Sequence, residues 1–551
     1  MLRLSLIPFL LACALPATAE TVALPGGARL ALDKQGLHLH AADGAERAKI
    51  ALRGRHLDYR DGMALVVDAN TERAMAIAVD AAGGSLTTSA VIDGAAVAPE
   101  AACLYRDAQG LLYAFLAGKD GQAEQWLLHG RPQLVRRLAL PPHSEQCLVH
   151  DASASLVVAE KGLGVWAYNA DAEGPPGRRA LAVAVPHGAS SPARAAGVAT
   201  FSLALAPAGV DLLDRDGKTR RTIALRSDLP PAVIVQAQVQ TENMPRMGDA
   251  ADDPAIWVDR QQAGQGRVLG TNKKQGLHVY DLQGRQLQML ESGRLNNVDL
   301  RQGVLLEGQR VDLAAATQRD ENSLVLYTID AAGSVAEAAR FKTPLERIYG
   351  LCLYQPASGG LHAFVNDKDG SYLQYRIGRQ DGAFTASLVR RFKLATQPEG
   401  CVADDRNDRL FAGEEKRGVW SIDARAEAKA EPKMILPVGG PLRADVEGMA
   451  IYHGANASYL VVSSQGSNSY VVADAAPPHR LRGSFRIGMN PDAGIDGASE
   501  TDGLDVTSAN LGGRFARGML VVQDGYKRLP DGAQNFKYVA WDDIARALGL
   551  L

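Results

Sequence analysis

The stretch Glu447-Gly448-Met449-Ala450-Ile451 places an acidic residue and a glycine directly before a run of apolar residues. A polar residue leading into a short apolar run of strand type recurs along the C-terminal part of the chain, about every 50 residues. This period, with many Gly-rich turns and almost no long helical pattern, is typical of a β-propeller with four-stranded blades. Six repeats predict six blades. The other five leading residues are Asp253, Asp299, Tyr349, Glu399 and Asp502.

The polar residues that lead into these strands have the same phase in each repeat, so we expect them to converge at one end of the central channel. Carboxylates crowded there repel one another unless cations neutralise them. Oxygen ligands without His or Cys favour Ca²⁺ over Zn²⁺ or copper. An acidic residue beside Gly is also common in solvent-facing turns, but six in phase favour a site. The oxygen-donor candidates are Asp252, Asp253, Asp299, Glu399, Glu414, Asp445, Glu447, Gln465 and Asp502.

Basic residues fall in connections between strands at the same predicted end: Lys273, Lys274, Arg319 and Lys368. Arg offers bidentate contacts to phosphate and Lys a mobile point charge, so carboxylates with bound cations beside these groups suit a highly phosphorylated small molecule. Each basic residue alone would more simply be a solvated surface charge. The 59 Lys and Arg nearly balance the 62 Asp and Glu, and no dense basic run occurs. Composition therefore gives no indication of a nucleic-acid partner.

A large internal repeat divides the chain. The segment Asp33–His40 recurs as Lys273–Tyr280, and Gly118–Gly121 recurs as Asp367–Gly370, at a spacing of about 240 to 250 residues. The two parts are therefore diverged copies of one domain, and a length of 551 residues fits two domains.

The repeat predicts the domain organisation. We expect residues 20–229 to form an incomplete, degenerate propeller-like accessory domain and residues 230–551 to form the six-bladed propeller. The first copy has Glu100 where the second has Tyr349 and Ala196 where the second has Glu447. About two blades' worth of sequence is missing from it, so a complete ring with a working site is not expected there.

Cysteine positions repeat as well, since Cys103 matches Cys352 and Cys147 matches Cys401. Four cysteines allow three pairings, and the duplication favours one disulfide in each copy, Cys103–Cys147 and Cys352–Cys401. An exported chain would keep such bonds. The alternative is four free buried thiols.

Residues 1–19 have the pattern of an export signal, with Arg3, an apolar run over residues 4–15 and Ala17-Thr18-Ala19 before a cleavage position at Glu20. The protein is thus expected in the periplasm or outside the cell. The segment Leu10–Cys13 loosely resembles a lipoprotein box, so lipid anchoring at Cys13 is an alternative. The apolar run is too short to span a bilayer, and no later segment has the character of a membrane helix.

Long, ordered motifs between about Met244 and Ala547 resemble those of β-propeller phytases. The resemblance implies a six-bladed propeller that is a 3-phytase, a phosphoric monoester hydrolase. It implies removal of phosphate from myo-inositol hexakisphosphate (phytate) and lower inositol phosphates with several Ca²⁺ ions, by direct attack of a calcium-activated water. The motifs are Asp252–Trp257, Thr271–Leu277, Gly293–Asp299, Ser463–Gly466 and Gln534–Lys537.

The same resemblance implies roles for single residues. One departure is Lys527, which stands where the family usually has an Asn calcium ligand and which cannot coordinate a cation. The implied phosphate ligands are Lys273, Arg319, Tyr349 and Lys368, with Lys274 at a neighbouring phosphate position. The implied catalytic calcium ligands are Asp252, Asp253, Glu399, Glu414, Asp445, Glu447 and Gln465. Further calcium ligands are expected among Asp299, Asp496, Asp502 and Asp524.

Two other functions fit a calcium-binding propeller. The first is a non-catalytic propeller that uses the site for adhesion or for a protein partner. The second is a propeller metallohydrolase such as a lactonase or phosphotriesterase, against which the basic residues argue. In each case we expect a monomer.

Overall fold

The computed structural model describes residues 20–160, 163–183, 202–213, 217–227 and 229–550. The predicted export signal and Cys13 lie outside these residues. The chain divides into two compact units, one up to residue 227 and one from residue 228 onward. We call them the N-terminal unit and the C-terminal unit. Both consist almost entirely of antiparallel sheets, which confirms the predicted all-β class.

The N-terminal unit has five sheets among its described residues, four of four strands and a last one of three. First strands of successive sheets contact each other, as in a propeller. The strands are β1 (Glu20–Ala23), β2 (Arg29–Asp33), β3 (Gly36–His40), β4 (Glu46–Ile50); β5 (Gly54–Arg60), β6 (Met63–Asp68), β7 (Arg73–Asp80), β8 (Ser85–Ile92); β9 (Pro99–Arg106), β10 (Leu112–Gly118), β11 (Gln122–Leu127), β12 (Gln133–Ala139); β13 (Ser144–His150), β14 (Ser155–Glu160), β15 (Gly164–Asn169), β16 (Arg178–Val183); β17 (Ser202–Ala206), β18 (Gly209–Leu213) and β19 (Thr219–Ala224).

The C-terminal unit has six sheets, which confirms the six predicted blades. Two short strands, β20 (Val233–Gln236) and β21 (Val239–Gln240), precede them. Blades 1 to 6 are β22 (Ala251–Trp257), β23 (Arg267–Asn272), β24 (Gly276–Tyr280), β25 (Gln286–Leu290); β26 (Leu295–Leu306), β27 (Gln309–Gln318), β28 (Ser323–Ile329), β29 (Val335–Lys342); β30 (Ile348–Tyr354), β31 (Leu361–Asp367), β32 (Ser371–Gln380), β33 (Ala383–Lys393); β34 (Pro398–Asp404), β35 (Arg409–Glu414), β36 (Gly418–Asp423), β37 (Lys433–Pro437); β38 (Val446–His453), β39 (Ser458–Ser464), β40 (Ser469–Asp474), β41 (Leu481–Gly488); and β42 (Leu504–Thr507), β43 (Met519–Asp524), β44 (Asn535–Ala540).

The ring of blades is closed by the start of the unit. Strand β20 pairs parallel with β41 on the outside of blade 5, and β21 pairs antiparallel with β44 to supply the fourth strand of blade 6. The inner strands contact one another in a cycle that returns from blade 6 to blade 1. A helix, α1 (Trp541–Ala547), follows β44, and no helix of the described chain is long and apolar enough to cross a membrane. Short 3₁₀ turns are Pro25–Gly27, Asp151–Ser153, Gln465–Ser467 and Gly513–Phe515.

The inner strands of blades 1 to 5 each begin with a β-bulge of two residues, seen as a break in register with the second strand. In blade 5 the bulge is Glu447-Gly448, and regular pairing resumes at Met449. In blade 6, Asp502-Gly503 directly precedes Leu504, where pairing begins, so it occupies the equivalent position. The register corrects two predicted phase positions. Asp252 rather than Asp253 leads blade 1, and Asn296 rather than Asp299 leads blade 2.

In blades 3, 4 and 5 a glycine at the second bulge position lets neighbouring inner strands approach closely. A Cβ atom at Gly350 would lie 1.9 Å from the Glu399 carbonyl oxygen, and one at Gly448 would lie 2.7 Å from the Cα of Gly503. Any side chain there would push the blades apart. The recurring acidic-Gly pair therefore belongs to the centre of the ring and not to solvent-facing turns.

Apolar side chains fill the space between adjacent blades. Ala255 and Leu269 of blade 1, for example, pack with Val298 and Val325 of blade 2. The predicted disulfides are confirmed, and each joins the first strands of the third and fourth sheets of its unit. They are Cys103–Cys147, with 5.9 Å between Cα atoms, and Cys352–Cys401, with 5.6 Å.

Candidate active site

A cavity of about 600 Å³ lies at the end of the ring where the inner strands begin. We call this end of the ring the mouth, and each blade contributes one residue to each of two sets located there. The first set holds the leading residues of the inner strands: Asp252, Asn296, Tyr349, Glu399, Glu447 and Asp502. The second set holds the residues that directly follow the second strand of each blade: Lys273, Arg319, Lys368, Glu415, Gln465 and Gly525.

One group of carboxylates spans blades 1, 4 and 6. Oxygens of Asp252, Glu399 and Asp502 lie within 4.8 Å of one another, and all three residues are buried. Both carboxylate oxygens of Asp252 are buried without a hydrogen-bond partner in the described structure. Burial raises the pKa of Asp252 well above its usual value, and it raises that of Asp502 to about 6 although Lys273 opposes the rise.

A second group shares Glu399 with the first. Oxygens of Glu399, Glu415 and Glu447 also lie within 4.8 Å of one another. Oε2 of Glu447 is buried and unpartnered, and burial, reinforced by Glu399, raises the pKa of Glu447 well above its usual value. Burial raises the pKa of Glu415 to about 7, and the charges of Glu399 and Asp445 add to the effect.

These carboxylates fit a hard divalent cation. Buried carboxylates without partners are costly unless a proton or a cation neutralises them, and the donors are oxygens, as Ca²⁺ prefers. Asp445 and Gln465 line the same cavity and add two further oxygen donors. The structure thus brings together Asp252, Glu399, Asp445, Glu447, Gln465 and Asp502 of the predicted ligands.

Lys273 lies against the first group. Its Nζ is 2.7 Å from Oδ2 of Asp502, 3.0 Å from Oδ1 of Asp249 and 3.8 Å from Oδ1 of Asp252. Burial works against the charge, but Asp252 and Asp502 raise the pKa of Lys273 well above its usual value. Lys273 therefore stays an ammonium group inside the mouth.

Tyr349 organises the basic side of the mouth. Lys368 Nζ lies 3.7 Å from the centre of the Tyr349 ring, and the Arg319 guanidinium carbon lies 5.8 Å from it. Arg319 also donates to Oδ1 of Asn296 at 3.3 Å. Burial, followed by the charges of Glu399 and Glu447, raises the pKa of Tyr349, so its hydroxyl keeps its proton. Lys274, by contrast, is exposed.

Asp253 and Asp299 do not reach the mouth. They line a second cavity, of about 230 Å³, further along the channel. Oδ2 of Asp253 accepts from the Asn297 side chain at 3.2 Å and from the Val298 backbone at 3.1 Å. Asp299 pairs with Arg301 at 2.9 Å. Asp253 occupies the second bulge position of its strand, and Asp299 lies three residues beyond Asn296. Each carboxylate accepts from the backbone of the inner strand of the next blade, at Val298 and Leu353 respectively.

Glu414, which the sequence predicts as a calcium ligand, bonds groups of its own blade instead. Its oxygens accept from the Thr396 backbone at 2.6 Å and from the Trp420 indole at 2.8 Å. The N-terminal unit repeats this bond between Trp166 and Glu160 at 2.7 Å, so the pattern shared by the two copies reflects blade structure. The residue after Glu414, Glu415, lines the mouth. The position directly after the second strand, shared with Lys273 and Lys368, is the sequence signal that could have identified Glu415.

Asp496 and Asp524 belong to a separate buried cluster. Lys537 Nζ lies 2.9 Å from Asp496 and 2.8 Å from Asp524, and Lys527 Nζ lies 3.3 Å from Asp496. Lys527 also donates to the carbonyl oxygens of Leu529 and Pro530. Two ammonium groups thus balance the two carboxylates at this predicted calcium position.

The fold and the mouth define a six-bladed β-propeller with carboxylate clusters beside basic groups. The sequence model of the phytase family matches residues 202–550. The chain belongs to this family. It is 39% identical over 329 residues to a 3-phytase of Bacillus subtilis (strain 168), covering 57% of this chain and 85% of that protein. A crystal structure of Saccharomyces cerevisiae Sqt1 matches with 10% identity, 74% and 92% coverage of the two chains and a TM-score of 0.29, too low to bear on fold or function.

Proposed function

We propose that the C-terminal unit is a calcium-dependent 3-phytase that releases phosphate from phytate and lower inositol phosphates. The observation that carries the proposal is the single mouth in which two carboxylate groups share Glu399 beside Lys273 and Tyr349. The named activity of the Bacillus subtilis relative supports the substrate and the reaction.

Calcium would be held by Asp252, Glu399, Asp445, Glu415, Glu447, Gln465 and Asp502. When bound, calcium neutralises phosphate charge and makes a water more nucleophilic. The oxygens of Asp252 and Oε2 of Glu447 support this assignment, because they are buried acceptors without a hydrogen-bond donor in the described structure.

The chain's own side chains position the phosphate. Lys273 keeps its proton and can bind one phosphate oxygen, while Arg319 and Lys368 offer cationic donors beside the Tyr349 ring. Tyr349 keeps its hydroxyl proton and can donate it in a hydrogen bond. Most of the rate enhancement would come from this placement of charge and from orientation of the ester.

We also propose that residues 20–229 act as an accessory domain and that the protein works outside the cytoplasm as a monomer. One disulfide in each unit supports export, since such bonds persist in oxidising compartments.

The test is release of inorganic phosphate from phytate by the purified protein, with calcium and with EDTA. We expect release only with calcium, and a loss of about 100-fold or more in kcat for Arg319→Ala and for Lys368→Ala. The exposed residue Lys429 provides the control, since Lys429→Ala should keep full activity. Calcium-dependent thermal stabilisation without any phosphate release would instead indicate a non-catalytic binding propeller.

A further inference from the structure

The N-terminal unit carries a cluster of metal-binding groups that the mouth does not include. His38 and His40 lie on one face of β3, with rings nearly parallel at 15° and centroids 6.1 Å apart. Donor atoms of His38, His40 and Glu46 all lie within 4.8 Å of one another. Glu46 stands directly opposite His40 on β4.

Hydrogen bonds fix the central imidazole from both sides. Nδ1 of His38 lies 2.7 Å from Oε2 of Glu46, and Nε2 lies 3.3 Å from Oδ1 of Asp33. His38 is 8% exposed, whereas the Glu46 side chain is 47% exposed, so the cluster is anchored in the sheet yet reachable from solvent. Nδ1 of His40 is buried and has no hydrogen-bond partner in the described structure.

The C-terminal unit has the same arrangement with neutral groups. His278 stacks on Tyr280 at 6.0 Å and 11°, and its nitrogens bond Gln286 at 2.7 Å and Asn272 at 3.2 Å. Register makes these positions equivalent, because Gln286 pairs with Tyr280 as Glu46 pairs with His40. Asn272 likewise pairs with Gly276 as Asp33 pairs with Gly36.

The N-terminal unit therefore replaces three neutral neighbours of one histidine by ionisable ones. The changes from the C-terminal unit are Tyr280 to His40, Gln286 to Glu46 and Asn272 to Asp33. Packing needs only the histidine and a hydrogen-bonding partner, as His278 shows. The replacements add a second imidazole and two carboxylates, which are metal ligands.

The donor set selects a different metal from the mouth. Two imidazoles with a carboxylate suit Zn²⁺ and related transition-metal ions, whereas Ca²⁺ prefers oxygen donors alone. Arg29 pairs with His40 and Lys49 with His38 on the flanking strands, and their charges balance those of Asp33 and Glu46. Because these charges balance, the local net charge attracts a cation only weakly, and the imidazole nitrogens must supply most of the affinity for a metal ion.

We propose that His38, His40 and Glu46 bind a transition-metal ion, with Zn²⁺ the expected occupant, and that Asp33 orients His38 from its other ring nitrogen. A carboxylate on the second nitrogen of a metal-bound histidine fixes the ring and raises its basicity. Asp33 is therefore a positioning residue, and the other three are ligands.

The experiment titrates the full-length protein, freed of metal and then saturated with Ca²⁺ at the mouth, with Zn²⁺ by calorimetry and with Co²⁺ by visible absorption. The triple variant Asp33→Asn, His40→Tyr, Glu46→Gln installs the residues that the C-terminal unit has at these positions. We expect the parent protein to bind one more Zn²⁺ than this variant and to show the visible bands of four-coordinate Co²⁺ that the variant lacks.

Single variants separate the roles. His40→Tyr should lower Zn²⁺ affinity by at least about tenfold, and Asp33→Asn should lower it by about 10- to 100-fold without changing stoichiometry. The exposed residue His143 has a φ of 58°, which Asn tolerates, so His143→Asn is the matched control and should bind as the parent does. Far-UV circular dichroism monitors folding. If the triple variant does not fold, the comparison of the parent protein with His40→Tyr is the deciding measurement. Equal Zn²⁺ stoichiometry and affinity in the parent and His40→Tyr would overturn the proposal.

Discussion

Apart from Asp445, the side chains assigned to the mouth occupy two backbone positions, the start of each inner strand and the residue directly after each second strand. This rule separates two adjacent glutamates. Glu414 ends β35 and bonds Thr396 and Trp420, whereas Glu415 follows the strand and faces Glu399 and Glu447. Their chemical identity is the same, so only backbone position assigns one to the blade and the other to the mouth.

The substitution Glu415→Gln should raise the calcium concentration for half-maximal activity by at least about tenfold, because it removes a charged oxygen donor. Glu414→Gln should leave that concentration unchanged and lower the free energy of unfolding by about 1–3 kcal/mol, since an amide donor would then face buried donors. Calcium titrations of phosphate release and urea unfolding measure the two effects. The opposite pattern would show that Glu414 is the ligand.

The buried cluster formed by Lys527, Lys537, Asp496 and Asp524 pairs two ammonium groups with two carboxylates, so the loss of one charge should destabilise the fold. Lys527→Met should lower the free energy of unfolding by about 3–5 kcal/mol, because it leaves a net negative charge among buried side chains. The Lys429 side chain is 85% exposed, so Lys429→Met should change stability by no more than about 0.5 kcal/mol. Unfolding in urea, with calcium held constant, provides the measurement, and equal stabilities of the two variants would contradict the assignment.

At the scale of strands, the bulge and its glycine determine how tightly the blades meet. Inner strands from neighbouring blades bond directly near the bulge, as Gly448 N does to the Asp502 carbonyl at 3.2 Å and Gly503 N to the Asp252 carbonyl at 3.1 Å. The leading residue therefore has a fixed direction, and a carboxylate placed there is held in the mouth by backbone contacts.

Substituting Gly448 by Ala should lower both thermal stability and activity. A Cβ there would lie 2.7 Å from the Gly503 Cα and 2.9 Å from the Asp502 carbonyl oxygen, so the strands would separate at a cost of about 1–3 kcal/mol. Gly177 has open space around it, and Gly177→Ala serves as the control. Thermal unfolding and phosphate release measure the change, and normal values for Gly448→Ala would refute the close-approach explanation.

For the whole molecule, the mouth concentrates carboxylates that the folded chain cannot easily ionise without a cation. Closure of the ring by β20 and β21 brings blades 1 and 6 together, so Asp252, Glu399 and Asp502 meet although they are distant in sequence. Folding and cation binding are thereby coupled.

Stability of the calcium-free protein should therefore fall as pH rises. Burial raises the pKa of Asp502 to about 6 and of Glu415 to about 7, so the folded state holds these protons more tightly than the unfolded chain does. In EDTA the melting temperature should be higher at pH 5 than at pH 8, and excess calcium should reduce this difference. Glu415→Gln should also reduce it. A pH dependence in EDTA that neither calcium nor Glu415→Gln changes would contradict the explanation.

The sequence by itself determined the repeat of about 50 residues, the six blades, the duplication and, through it, the cysteine pairing. These features recur along the chain, and recurrence is visible without a structure. The candidate site was predicted in outline for the same reason, since Glu399, Glu447 and Asp502 recur in phase where the inner strands begin.

Only the tertiary structure decided which neighbour of each pair faces the mouth. A bulge adds a residue to one strand and changes the direction of the next side chain, so Asp252 takes the place expected for Asp253. In blade 2 the leading position falls on Asn296, three residues before Asp299. Lys527 likewise meets Asp496, which lies 31 residues earlier in the chain, and both groups are buried. Side-chain direction and long-range charge pairing depend on how the backbone closes in space, which the order of residues alone does not specify.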